Sequence, residues 1–266
     1  TAKRVVDVSN APIEIEVILV EENISLNEVI VDRGINPADE IIRNAIKNKK
    51  ANTEKSSRYT ADFYSRGIFR VKNLPKTILG QKLDFFDEII DSTRSGILYL
   101  SETVSKVTFQ KPDKLKEVIV ASKVSGNDNG FSFNNAADAN FDFYDNYLPF
   151  DVNVVSPIAD NAFNYYKYTF EGSFFTEKNQ QVNKIKVLPR RATEPVMSGY
   201  IYIVDDSYAI YAVDVTFTGK QIQNPALNTM SLTQNFSYNN TTKIWTKNTQ
   251  TIDFDAGMFG INMSGG

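Results

Sequence analysis

Four groups of side chains in this sequence have types and spacings that could do chemistry. Asp205 and Asp206 are adjacent carboxylates in Asp205-Asp206-Ser207. General acid–base work needs two such groups converging on one bond, whereas neighbours on a strand point to opposite faces. In a turn both meet water, so this pair reads as a solvated turn. Asp142, Asp145 and Asn146, with Asp128 and Asp138, offer hard oxygen ligands of the kind calcium takes. Their spacing matches no EF-hand loop, and no metal is assigned to them. Arg190 and Arg191 follow Pro189 and precede Glu194. Two guanidinium groups at a strand end could clamp a carboxylate or phosphate, or pair with nearby acids of the chain itself.

The fourth group is aromatic. Phe163, Tyr165, Tyr166, Tyr168, Phe170, Phe174 and Phe175 place rings on both faces of a stretch read as one strand, 163–175. One face serves a core. The other meets a helix, a partner or an apolar ligand, or is the rim of a plain core, because large bare apolar patches are uncommon on monomers. A concave sheet lined with Phe, Tyr and Ile would suit acyl chains. The candidate ligand-binding set is Phe163, Tyr165, Tyr166, Tyr168, Phe170 and Phe174, with Arg190 and Arg191. No catalytic residue and no cofactor is assigned.

The composition excludes much else. The 266 residues contain no cysteine and no histidine. Disulfides, Cys/His zinc sites, cysteine nucleophiles and Ser-His-Asp triads are therefore impossible. A net charge of -3, with Lys and Arg spread along the chain, gives no footprint for nucleic acid. No apolar run reaches the ~18 residues that a membrane-spanning helix needs. At 42% hydrophobic the chain can bury a core, and 18 Phe and 13 Tyr against one Trp favour strands.

Those groups must be positioned by a mostly β framework. Residues 13–20 and 29–31 read as strands, and Arg33 to Pro37 as a boundary. Asn36 is a good N-cap and Pro37 suits the first helical position. Ala38, Ile41, Ile42, Ala45 and Ile46 then form one apolar helical stripe. Lys47, Lys49 and Lys50 read as its solvated end. Strands follow at 59–71, 96–109, 117–124, 163–175, 182–188, 199–204, 208–218, 230–238 and 243–256, with Gly67 marking a bulge or bend. Short helices are expected near 83–90 and 140–148, the latter inside an irregular stretch, 126–160. From Trp245 the chain reads as one long amphipathic strand that ends without closing anything, with Ile252, Phe254 and Ala256 alternating against Thr251, Asp253 and Asp255. The economical architecture is mainly β (α+β): a large curved antiparallel sheet or half-open barrel under one covering helix.

Several strings resemble one uncharacterised Bacteroidota family of outer-membrane proteins. They include Ala38-Asp-Glu-Ile-Ile-Arg-Asn-Ala-Ile-Lys47, Tyr99-Leu-Ser-Glu-Thr-Val-Ser-Lys-Val-Thr-Phe109, Phe143-Tyr-Asp-Asn-Tyr147, Lys184-Ile-Lys-Val-Leu-Pro-Arg-Arg191 and Gly199-Tyr-Ile-Tyr-Ile-Val-Asp-Asp-Ser-Tyr-Ala-Ile210. Members resemble a carboxypeptidase-regulatory-like β-sandwich, then a domain of unknown function, then a C-terminal barrel. The resemblance implies that residues 1–33 are closing strands of an incomplete sandwich, that 34–266 form the unknown domain, and that Gly266 is a cut end. It implies a non-enzymatic module at the periplasmic face of the outer membrane. Its expected partners are its own barrel, other outer-membrane proteins, or a lipid or lipoprotein client. The order of helix and curved sheet, with Gly96-Ile-Leu-Tyr-Leu before Lys111-Pro112, also resembles the lipoprotein-carrier fold. Asp91-Ser92-Thr93 resembles an O-glycosylation acceptor motif of Bacteroidota envelope proteins. Two other classes stay open: a carboxylate-only hydrolase, with two acids ~5–10 Å apart, and a structural spacer.

Overall fold

The computed structural model describes residues 36–54, 57–78, 81–82, 89–111, 114–126, 135–137, 140–258 and 260–266. The expected sandwich strands (1–33), most of the helix expected near 83–90, and Asp128 and Asp138 lie outside them. In chain order the elements begin with α1 (Ala38–Glu54), β1 (Arg58–Lys72), β2 (Thr77–Ile78), β3 (Gln81–Lys82), β4 (Gly96–Gln110) and β5 (Lys114–Gly126). The two short strands β6 (Tyr147–Pro149) and β7 (Asn153–Val155) and the single turn α2 (Ala162–Tyr165) come next. The remainder is β8 (Tyr166–Phe175), β9 (Gln181–Pro189), β10 (Ser198–Val204), β11 (Ile210–Thr218), β12 (Leu227–Asn239), β13 (Ile244–Met258) and β14 (Ile261–Gly265).

Ten strands form one antiparallel sheet in the order β5-β4-β1-β14-β13-β12-β11-β10-β9-β8. The sheet does not close into a barrel, so β5 and β8 are its edges. From β8 to β13 the strands meander by hairpins, which suits turns such as Asp205-Asp206-Ser207. The last step is different. The chain reverses after Met258, and β14 lies between β13 and β1, with Met263 opposite both Ala256 and Val71. Gly266 and Ile68 exchange two backbone hydrogen bonds, at 2.7 and 3.0 Å. The expected single strand from Trp245 is thus a hairpin that joins two parts of the sheet. The alternation itself holds, with Ile252, Phe254 and Ala256 facing inward.

The core lies on one face of β8–β12. Ile185, Val187, Ile201, Ile203, Val213 and Val215 are fully buried there. Two covers lie on it: α1, through Ala38, Ile42 and Ala45, and the segment 141–165, through Phe143, Leu148, Val154 and Ile158. Full burial of each large apolar side chain contributes roughly 1.5–3 kcal/mol. The helix expected near 140–148 is absent. Turns and the β6–β7 hairpin occupy that stretch, because its Asp and Asn side chains bond to nearby backbone instead. Asp142 Oδ1, for example, accepts from the Tyr144 amide at 2.9 Å.

Bulges sort the rings of β8. The register of β8 on β9 shifts between Phe170 and Gly172, where Gly172 has φ +118°, a value open to glycine. Tyr166, Tyr168 and Phe170 therefore face the main core, while Phe174 turns to the opposite face. There it packs with Val182, Val204, Tyr202, Tyr211 and Trp245. In β1 the irregularity falls between Phe69 and Arg70, and Gly67 pairs regularly with Ser101.

Candidate functional site

α1 is seated by one side chain with two tasks. Asn36 Oδ1 accepts from the Ala38 amide at 3.2 Å, capping the helix. The same amide group meets the free edge of β8: Nδ2 donates to Tyr168 O at 2.7 Å, and Oδ1 accepts from Phe170 N at 3.2 Å. Asn36 thus stands in for one residue of a missing neighbouring strand, satisfying an exposed edge. Further along α1, Lys49 Nζ lies 2.7 Å from Asp160 and donates to Asn146 Oδ1 at 2.6 Å. Its side chain is only 17% exposed. Lys49 therefore does not belong to a solvated end: the helix runs a further turn to Glu54 and brings this lysine onto the 146–160 loop.

Beside that seat lies an open cleft of about 270 Å³, lined by Pro37, Glu40, Ile41, Asn44, Phe170, Asn183, Asp205 and Tyr208. Pro37, Ile41 and Phe170 make it partly apolar, and the carboxylates and amides make the rest of its lining polar. Asn183 is buried and donates to Asp205 Oδ1 at 2.8 Å. Tyr208 holds a left-handed backbone, φ 53°, which costs a tyrosine roughly 1–3 kcal/mol and is sustained by the hydrogen bond that its N–H donates to Val204 O. Glu40 and Asp205 bring two carboxylates to one cleft, both solvent-exposed.

The expected binding residues take several different places in the fold. Phe163 and Tyr165 lie in α2, not on a strand; Arg43 sits 4.2 Å over the Phe163 ring. Tyr166 and Tyr168 are buried, and their hydroxyls donate to Val155 O at 2.5 Å and Pro157 O at 2.8 Å. Burial pushes both phenols well above their ordinary pKa, so they remain neutral donors. Phe174 packs in the second cluster, and among this set only Phe170 reaches the cleft. Arg190 Nε donates to Phe163 O and Tyr166 O, clamping the α2–β8 junction. Arg191 pairs with Glu194 at 2.7 Å.

One carboxylate of the acidic loop, Asp160, is paired with a cation of the same chain, Lys49. Asn146 and Asp160 hold Lys49, and the Lys49 and Asn146 hydrogen bonds draw the Asp160 carboxyl below its usual range. Burial, then the Asp142 charge, raises Asp145. Burial lowers Lys247, which donates to Phe141 O at 3.2 Å, while Asp142 opposes that shift. Among the described residues no group of three or more acids is arranged to hold a metal ion.

Sequence reading missed most of the cleft. Pro37, Ile41 and Asn44 recur at helical spacing on one side of α1, a signal that was present. Asn183, a polar residue on the strand face that carries Ile185 and Val187, was another. Their meeting with Asp205 and Tyr208 depends on where α1 docks.

A family model described as a family of unknown function, DUF5686, matches residues 41–266. No curated protein matches the chain. A LolA superfamily protein from Nitrosomonas europaea aligns at 7% identity and a TM-score of 0.28, over 87% of this chain and 91% of that one. An outer membrane lipoprotein-sorting protein domain from Vibrio parahaemolyticus aligns at 10% identity and a TM-score of 0.28, over 85% and 89%.

Proposed function

The chain belongs to this DUF5686 family of unknown function, and from that premise we propose that it is a non-enzymatic binding module of an envelope protein. Its site is the cleft between α1 and β8, and its client is a segment of a partner protein or a lipid-like molecule. The observation that carries this reading is the composition of the cleft: an apolar side of Ile41 and Phe170, with acids and amides open to water beside it. Such a site binds a polar head with a short apolar stem. Its two carboxylates, Glu40 and Asp205, stand exposed to water at the polar side. The face of β8–β12 beneath the covering segments is packed by Phe143, Leu148 and Ile158, so the proposed client sits at the cleft rather than inside the core. The resemblance of the Tyr99–Phe109 and Gly199–Ile210 strings to outer-membrane proteins supports a place at the periplasmic face of that membrane, beside a barrel of the same protein.

Native mass spectrometry after incubation with envelope lipid extract, alongside a pull-down from envelope fractions, tests this reading. A bound lipid or an outer-membrane partner, lost in Phe170→Ser, is the expected result. Turnover of aryl glycosides that disappears in Asp205→Asn would replace the reading with the hydrolase one.

A further inference from the structure

The part of the sheet built from β1, β4 and β5 has two unlike faces. Its inward face carries Tyr99, Ser101, Thr103, Ser105 and Val107, all buried. The ladders place a different set on the outward face. Arg58 lies opposite Gln110, which lies opposite Lys114. Thr108 lies opposite Lys116, Lys106 opposite Asp62 and Val118, and Glu102 opposite Arg66 and Lys123. Six exposed cations thus share one face with two acids, on a chain whose net charge is -3.

The two acids do little to quench that charge. Arg66–Glu102 at 3.9 Å and Lys106–Asp62 at 3.8 Å are loose, exposed pairs. Among the described residues, Arg58, Lys114, Lys116 and Lys123 have no ion-pair partner. Between the charges stand Tyr64, Val104 and Val118, exposed by 59%, 41% and 50%. From the Arg58 row to the Arg66 row is eight residues, or roughly 26 Å along the strands, across three strands ~4.8 Å apart. This is a broad, open, cationic face with an amphipathic ring and short apolar side chains among its charges.

We propose that this outward face docks on an anionic bilayer surface, its lysines and arginines against lipid phosphates and Tyr64, Val104 and Val118 at the headgroup level. Charge complementarity is the argument: each basic residue near such a surface contributes about 1 kcal/mol, and a tyrosine suits the boundary between water and hydrocarbon. An array spread over three strands fits a surface better than an extended peptide, which would seek a groove or a strand edge. The face belongs to a different part of the sheet from the α1 cleft, so either reading can fail without the other.

Co-sedimentation of the full chain with vesicles tests the proposal. Phosphatidylcholine vesicles containing about a third phosphatidylglycerol should bind the protein at low salt, and pure phosphatidylcholine vesicles should not. Raising the salt to physiological strength should weaken binding about tenfold. Lys114→Gln/Lys116→Gln/Lys123→Gln should lower partitioning on the order of 100-fold, and Arg58→Gln/Arg66→Gln about tenfold or more. Lys220→Gln/Lys243→Gln, outside this face, should leave partitioning unchanged, and every variant should keep a cooperative thermal unfolding transition. Equal binding to both vesicle types, or full binding by the triple variant, would overturn the proposal. Retention on polyglutamate without binding to phosphatidylglycerol vesicles would also overturn it, and assign the face to an acidic protein.

Discussion

On β10 and β11 the inward positions are Ile201, Ile203, Val213 and Val215; on β4 they include Ser101, Thr103 and Ser105. Both sets are buried and both follow the same two-residue period, but they are held by different forces. The first set is covered by α1 and the 141–165 segment and draws its stability from apolar burial. The second meets its own polar groups: Thr103 and Ser122 hydroxyls lie 3.2 Å apart, and Ser105 donates to Glu117 at 2.6 Å. Net gains from such bonds are only about 0.5–1.5 kcal/mol each. Within the sheet the two regions meet through five-residue β14, and β1 before Ile68 has only β4 beside it there; off the sheet, the 141–145 loop lies within electrostatic reach of Tyr59 and Lys111 in the second region. One sheet therefore holds an apolar-packed body and an extension with a largely polar inner face and a charged outer one, and the difference in stability between them can be measured.

The largest contrast should come from emptying the body. Phe143→Ala removes a fully buried ring and should cost about 3–5 kcal/mol, read by denaturant unfolding. Val104→Ala on the extension should stay within about 0.5 kcal/mol. Equal losses at the two positions would erase the distinction.

Alkaline pH attacks the same body next. Burial raises the phenols of Tyr144, Tyr166 and Tyr168. A raised folded-state pKa gives stability that is complete below the unfolded value, about 10, and is lost as pH rises beyond it. Near-ultraviolet circular dichroism should show the body loosening above about pH 10. If Tyr166→Phe or Tyr168→Phe leaves that alkaline profile unmoved, the assignment to these tyrosines is wrong.

Asn36→Ala sharpens the comparison at the edge of the body. It removes the cap and both bonds to β8 and should cost about 0.5–2 kcal/mol. Hydrogen exchange should quicken in α1 and at Phe170, while amides of β10 and β11 keep their protection. Uniform quickening would show that α1 and the sheet open as one unit.

The smallest effect lies on the extension. Lys106→Ala breaks only the 3.8 Å pair with Asp62 and should cost about 0.2–1 kcal/mol, less in high salt. A salt-independent loss above that range would mean that the extension depends on its outward charges to hold together.

Local pattern carried much of the fold. Asn36-Pro37 and the Ala38–Ile46 stripe predicted α1, and alternation located nearly every long strand within a few residues, because each signal is complete within its own segment. The candidate site was far less legible. The β8 rings were visible as a cluster, but the bulge at Gly172 and the single turn α2 decide which way each points. Lys49 looked solvated because its partners, Asn146 and Asp160, are about a hundred residues away in the chain. Asp205 looked like a plain turn residue because nothing near it in sequence shows that α1 comes to rest beside it.

By itself the sequence determined that this is a β-rich chain with one amphipathic helix, without histidine or cysteine chemistry, since composition and periodicity are properties of the residues alone. Only the tertiary structure decided that the final strand is inserted between β13 and β1, that α1 lies on the edge of β8, and that six dispersed cations share one face. The physical reason is that strand pairing and helix docking join residues far apart in sequence. A two-residue period states which side chains share a face, but not which strand lies alongside.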